Sequence, residues 1–395
     1  MTRHRAVLAA AGALAAVAAV AAVAVVAAVA AVPALGGWLA RAGLPTAWAT
    51  LPGRAKAPEA TNPATANPPA GPGFEFVALG DMPYGADTTA GVAYRHLIGQ
   101  VNALKLPLTL HVGDFKSGLA DCSDAEYRLQ LQNFQLFASA LVYTPGDNDW
   151  FDCQRRGDDP LERLQALRQH FFARPQSLGR QPVAVLRQAD VMPAFALQVE
   201  NLRWTSAPGP GAVMFASFHT VGPDNGADAP SAALRAEAAA REAANAAWIS
   251  AAFAAGRQQG VAALVLVTQA ETLVTEGDDG PSHGEVRNGF ALSMSQTLLP
   301  LADAAPFPVL LVHGDAHRYT VDRPFRNRQG RTIANLWRLQ VFGEPRLHAV
   351  RVWVNLAAPL ASAPGASATT RPPFAFTPIW NPLSPDPRLT GRIQP

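Results

Sequence analysis

Four apolar runs in this chain end on the same dipeptide, and that repetition constrains the fold more than any other feature. Phe-Val-Ala-Leu runs into Gly80-Asp81, Leu-His-Val into Gly113-Asp114, Val-Tyr-Thr-Pro into Gly146-Asp147, and Leu-Leu-Val-His into Gly314-Asp315. Short apolar runs bounded by turn residues read as buried strands, and the glycine lets the backbone turn tightly before the aspartate. In open α/β sheets the carboxyl edge of the strands is where ligands bind. One such corner is an ordinary turn. Four on neighbouring strands would crowd four carboxylates together, and their repulsion forces protonation unless a cation neutralises them. Hard oxygen ligands suit Mg²⁺, Mn²⁺ or Ca²⁺, while His317, two residues after Asp315, adds an imidazole that also suits zinc or iron. The pattern predicts a site for two divalent metal ions.

The remaining punctuation supports a layered fold. Strands are expected at Phe74–Leu79, Leu108–Val112, Ala140–Tyr143, Met192–Glu200, Val213–His219, Ala263–Thr268, Val309–Val312 and His348–Val354, with helices between them. Ser123-Asp124-Ala125-Glu126 is a capping box opening a helix that runs to Ala138, and Asp159-Pro160 opens another with proline at its first position. Pro230 to Gly256 reads as a long Ala-rich amphipathic helix packing Leu234, Trp248, Ile249 and Phe253 inward. Alternation of strands and helices argues for an α/β or α+β layer architecture over 74–356. Residues 357–395, rich in Pro and Ser, read as a surface tail or a partly disordered one.

The order of these motifs resembles the calcineurin-like metallophosphoesterase family over roughly Phe74 to Thr320. That family runs D-x-H, GD, GNH followed by an acid, a histidine after a strand, then GHxH. Here Asp81-Met82-Pro83 stands at the first motif, with Pro83 for its histidine, and Asp114 stands at the metal-bridging aspartate. Gly146-Asp147-Asn148-Asp149 stands at the third, with Asp147 for the asparagine ligand and Asn148 for the catalytic histidine. Gln269 replaces the fourth motif's histidine, and Gly314-Asp315-Ala316-His317 stands at the last, with Asp315 for its first histidine and His317 retained. The resemblance implies an αββα four-layer sandwich with the metal site at the carboxyl ends of the strands. It also implies metal ligands Asp81, Asp114, Asp147, Gln269, Asp315 and His317, and hydrolysis of a small phosphate ester by metal-activated water. Loss of imidazoles favours Mn, Mg or Ca over Zn or Fe. Asn148, Lys116 and His317 are the expected catalytic side chains: the amide to orient phosphate, the lysine to neutralise a phosphate oxygen. His219 and His283 are alternatives for the missing general acid, and His313 is expected in packing. Because the catalytic histidine is replaced, a catalytically inactive metal- or phosphate-binding protein on the same fold is the second reading.

Residues 1–41 place the domain. Arg3 and Arg5 precede a stretch from Ala6 to Ala40 with no charged side chain. About 20 apolar residues span the ~30 Å hydrocarbon core, and cleaved signals carry a shorter apolar region of about 7–15. An uncleaved anchor is expected, with Val32-Pro33-Ala34 leaving cleavage open. The positive-inside rule then puts everything after residue 41 outside the cytoplasm, with 42–73 as a Pro/Ala-rich tether. Cys122 and Cys153, the only cysteines, can pair in that compartment. With 32 Lys plus Arg against 30 Asp plus Glu, nothing calls for a nucleic-acid partner. Oligomeric state is left open.

Overall fold

A computed structural model describes residues 72–85, 88–276, 282–357 and 372–384, all within the unit Ala60–Pro395. The expected anchor and all but the last two residues of the expected tether lie outside the described residues. Among the described residues no helix is long and apolar enough to cross a membrane.

Two mixed sheets form the centre. The first contains β1 (Gly73–Leu79), β2 (Leu108–His111), β3 (Ala140–Tyr143), β4 (Leu178–Gly179), β14 (Ala349–Asn355) and β15 (Phe374–Ile379), in the order β15-β14-β1-β2-β3-β4. The second contains β5 (Leu186–Arg187), β6 (Leu202–Thr205), β7 (Val213–Ser217), β8 (Ala263–Val267), β11 (Val309–His313), β12 (Thr320–Asp322) and β13 (Leu336–Gln340), in the order β12-β13-β11-β8-β7-β6-β5. A separate antiparallel pair joins β9 (Leu273–Thr275) and β10 (Ser282–Val286). β1, β2 and β3 are parallel, as are β7, β8, β11 and β13.

The period-two alternation of the strands sets the layers. In the second sheet Val213, Phe215, Val265, Val267, Leu310 and Val312 join the core shared with the first sheet. Their alternates Met214, Ala216, Leu264, Leu266, Val309 and Leu311 pack with Trp248, Ile249, Ala252 and Phe253 of the helix Ala232–Gln259. Phe76 of β1 meets Phe215 edge to face at 5.4 Å, which joins the two sheets. On the far side of the first sheet, His111 lies 4.9 Å from Phe134 and Tyr143 5.2 Å from Phe171, ring centre to ring centre, so the helices Asp124–Phe134 and Pro160–Phe171 cover that face. The result is a mixed α/β sandwich in which the central strands β2, β3, β7, β8 and β11 are buried on both faces, as their continuous apolar runs require.

The helix starts fall where the capping residues put them. Ser123 accepts from the Glu126 amide, and Asp159 from the Leu161 amide with Pro160 at the first position. The first of these helices stops at Phe134 rather than Ala138. Two segments differ from expectation. Met192–Glu200 is no strand: a short helix Gln188–Val191 and a 3₁₀ turn Pro193–Phe195 occupy the region, because Pro193 has no N–H to give a ladder and Leu197 is 72% exposed. The segment read as a tail supplies β15, which pairs antiparallel with β14 and buries Phe374 and Phe376.

Candidate functional site

The parallel strands of both sheets deliver their carboxyl ends to one place. Asp81, Asp114 and Asp147 follow β1, β2 and β3, while Gln269 and Asp315 follow β8 and β11. Contacts cross between the sheets. Gln269 Nε2 donates to Asp114 Oδ2 at 3.0 Å, and the Asp315 amide donates to Asp81 Oδ1 at 3.0 Å. Asn148 binds Asp114 twice, its backbone N–H to Oδ1 and its Nδ2 to Oδ2, each at 3.1 Å. His317 Nε2 stands 4.0 Å from Asp81 Oδ1. The structure therefore brings together the four strand-tip aspartates, Gln269, Asn148 and His317.

Of the four corner glycines only Gly113, with φ 92°, takes the tight turn that the sequence leads one to expect. At three corners the tight left-handed turn falls on the aspartate itself: Asp81 has φ 51°, Asp114 φ 52° and Asp315 φ 75°, and His317 follows with φ 53°. Aspartate tolerates this region better than most residues, and such strain collects at functional sites. Gly146 and Gly314 serve close approach instead. A Cβ on Gly146 would fall 2.0 Å from Asp114 Oδ1, and one on Gly314 2.2 Å from Asp81 Oδ2.

Burial and mutual repulsion dominate the electrostatics. Loss of hydration pushes Asp114 well above the usual carboxylate range, and the negative fields of Asp147, Asp149, Asp81 and Asp315 push it further. Burial raises Asp81 in the same way, with Asp315 and Asp149 adding to it, and raises Asp147, with Asp315 and Asp152 adding. Asp315 rises to about 6, chiefly through burial. Such a set stays ionised only beside a cation.

Several residues of the site were not singled out from sequence. Asp149 is fully buried and accepts four hydrogen bonds: from the amides of Asp114 (3.0 Å), Phe115 (2.9 Å) and Gly146 (2.9 Å), and from the Tyr143 hydroxyl (2.7 Å). It ties the tips of β2 and β3 together; its signal was present in the Gly-Asp-Asn-Asp run. Tyr84 accepts from Asn148 Nδ2 at 3.0 Å and lies 3.0 Å from His317 Nε2. Because His317 Nδ1 faces the Glu344 carbonyl at 2.7 Å, Nδ1 carries the proton in the neutral ring and the Nε2 lone pair accepts from the Tyr84 hydroxyl. Burial lifts the Glu344 carboxyl to about 7. No local pattern marks Tyr84 or Glu344, since their roles depend on a return of the chain after β13.

Lys116 is 1% exposed, with Nζ bonded to the Ser117 carbonyl at 3.2 Å, so it is a buried charge facing Asp149, Asp114 and Asp152 rather than a solvated loop lysine. His219 is not available as a general acid. Its Nε2 accepts from the Trp150 indole at 3.0 Å and its Nδ1 lies 3.0 Å from Glu200, which also holds Arg168. The side chain of His283 lies outside the described residues. His313 is packed as expected, with burial lowering it to about 3. Cys122 and Cys153 are paired.

The donor set suits a hard divalent cation. Asp81 Oδ2, Asp147 Oδ1 and Gln269 Oε1 are buried oxygens with no hydrogen-bond partner, the condition a cation relieves. Among the described residues no three His, Cys, Asp or Glu side chains stand at metal-holding spacing, so the fit is one of donor chemistry and not of a preformed coordination shell.

No protein-family profile matches the chain, and no curated protein matches it. Among solved structures it is similar to a dimetal phosphatase from Danio rerio, with 9% identity and a TM-score of 0.43 over 78% of this chain and 99% of that one. It is similar to a 5'-nucleotidase from Candida albicans, with 11% identity and a TM-score of 0.40 over 81% of this chain and 53% of that one. A purple acid phosphatase from yellow lupin seeds gives 12% identity and a TM-score of 0.40 over 72% of this chain and 49% of that one. At these values the functional reading rests on the site's own residues.

Proposed function

We propose that the chain is a metallophosphoesterase of the calcineurin-like type, hydrolysing small phosphate esters at a centre of two divalent metal ions. The convergence of Asp81, Asp114, Asp147 and Asp315 around unpartnered buried oxygens carries this reading. Asp81, Asp114, Asp147, Gln269, Asp315 and His317 are the residues that would hold the ions. When bound, the ions supply an activated water and charge stabilisation for in-line displacement at phosphorus. The protein's own residues do the rest. Asp149 fixes the Asp114 backbone, Asn148 holds the Asp114 carboxylate in place, and the Glu344 carbonyl fixes the ring of His317. Lys116 offsets the negative charge from beneath.

We place this activity outside the cytoplasm, with residues 1–41 as membrane anchor or signal; the uncharged run from Ala6 to Ala40 and the Cys122–Cys153 pair support that placement. A second reading, a metal- or phosphate-binding protein without turnover, is favoured by Asn148, whose Nδ2 bonds both Asp114 and Tyr84 and cannot act as an acid. Elemental analysis of the purified full chain, followed by a panel of aryl phosphates, decides between them. Stoichiometric metal and hydrolysis, both lost in Asp114→Ala, are expected. Full activity in Asp114→Ala, or after chelation, overturns the enzymatic reading, and metal without hydrolysis selects the binder.

A further inference from the structure

We propose that Arg155 selects phosphomonoesters, its guanidinium taking non-bridging oxygens of the substrate phosphate at the rim of the acidic centre; the proposal rests on the phosphoesterase reading. The floor of the site is anionic and buried, whereas Tyr84, Asn148 and His317 are partly exposed and mark where it opens. A phosphate entering there needs a cation that reaches it. Lys116 is enclosed and bonded to the Ser117 carbonyl. Arg287 spends its guanidinium on the Leu273 carbonyl and the Thr275 hydroxyl, and Arg346 on the His317 carbonyl. Arg155 differs: its side chain is 53% exposed and a single carboxylate, Asp152, holds it at 2.7 Å.

That carboxylate is 6% exposed and aims the guanidinium. The aim is toward Asn148. Asp152 Oδ2, Asn148 Oδ1 and Arg155 Nη1 all lie within 2.8 Å of the point that a Cβ on Gly118 would occupy, so only a glycine there lets the three groups meet. Asn148 in turn binds Asp114 at 3.1 Å, which puts Arg155 one side chain from the strand-tip carboxylates. The segment Phe151–Arg156 that carries Arg155 is a 3₁₀ helix, anchored by Asp152 N–H to the Asp147 carbonyl at 2.9 Å and by the Cys153–Cys122 bridge. Its position relative to the site is thereby fixed at two adjacent residues near its start.

The chemistry decides the substrate class. A guanidinium fork pairs two oxygens at once, and a monoester phosphate carries nearly two negative charges at neutral pH over three non-bridging oxygens. A diester has one charge and two such oxygens, leaving less for a rim cation to bind. Removing Arg155 should therefore weaken monoester binding selectively.

The test uses the full chain loaded with its metal. Calorimetry with inorganic phosphate is expected to show binding roughly tenfold or more weaker in Arg155→Ala, partly restored in Arg155→Lys, with metal content unchanged. In parallel, KM for p-nitrophenyl phosphate should rise by a similar factor while kcat, and KM for bis-p-nitrophenyl phosphate, stay within about twofold. Unchanged phosphate affinity in Arg155→Ala, or an equal loss on both esters, overturns the proposal. A wild-type chain that binds metal and phosphate but hydrolyses neither ester sinks the phosphoesterase reading instead, and the phosphate affinities then still decide what Arg155 does.

Discussion

Asp149→Asn removes one charge and exchanges one oxygen for an NH2, and the structure lets its cost be worked through. Oδ2 accepts from the Asp114 amide, the Gly146 amide and the Tyr143 hydroxyl, and Oδ1 from the Phe115 amide. The asparagine carbonyl can keep the three partners of Oδ2, which leaves its NH2 facing the Phe115 N–H, donor against donor. One hydrogen bond to a charged acceptor, about 1.5–3 kcal/mol, is lost, and three others weaken toward the neutral value of about 1 kcal/mol. Against this, burial opposes the charge of Asp149, so neutralising it recovers part of the loss. The net expectation is about 2–4 kcal/mol of destabilisation. Urea unfolding followed by tryptophan fluorescence reads it as a lower midpoint at unchanged slope. The same variant should bind metal more weakly, because Asp149 holds the left-handed backbone of Asp114 in place. A variant within about 0.5 kcal/mol of wild type and with unaltered metal affinity would falsify the role assigned to Asp149.

Other outcomes follow from the same geometry. Burial pushes Asp315 up to about 6 from near 4 in the unfolded chain, so the folded state binds this proton more tightly and the group's contribution to stability is fully present below about pH 4. It declines as pH rises toward about 6, by roughly 3 kcal/mol from this group; metal should abolish the decline, and a pH-independent melting temperature in chelator argues against the acidic cluster. Gly314→Ala puts a methyl 2.2 Å from Asp81 Oδ2 and is expected to cost about 1–3 kcal/mol and to weaken metal binding, both checked by thermal shift with and without metal. Opening the Cys122–Cys153 bridge by Cys→Ser at both positions removes a crosslink across 31 residues, and a loss of about 3–4 kcal/mol in urea is expected; no loss would show that the loop is restrained by other means.

The strands that carry the site were legible because each is a short apolar run closed by Gly-Asp, a signal local in sequence. Ala140–Tyr143 matches the observed β3 residue for residue, and the other three strand tips fall within a residue of expectation. What failed was non-local. Leu336–Gln340 mixes Trp, Arg and Gln with two leucines, and forms a strand because β11 and β12 flank it on either side. Phe374–Ile379 lies in a Pro-rich stretch whose alternating phenylalanines take meaning only beside β14. In the site, the aspartates could be listed in advance, but the hydrogen bonds that orient them could not. Tyr84, Asn148 and His317 form one chain of contacts across 233 residues of sequence, and only the fold reveals it.

β1 opens the described fold, and its antiparallel partner β14 comes near its close, with Gly73 opposite Asn355 and β15 outermost. No leading fragment of the chain can therefore assemble the first sheet. A chain emerging amino end first carries β1 with one ladder of N–H and C=O groups bare until some 280 later residues have arrived. If the domain is threaded across a membrane as proposed, that bare edge would stand exposed on the far side throughout transit. Folding of the aspartate-bearing tips would then be one of the last events of export rather than one of the first.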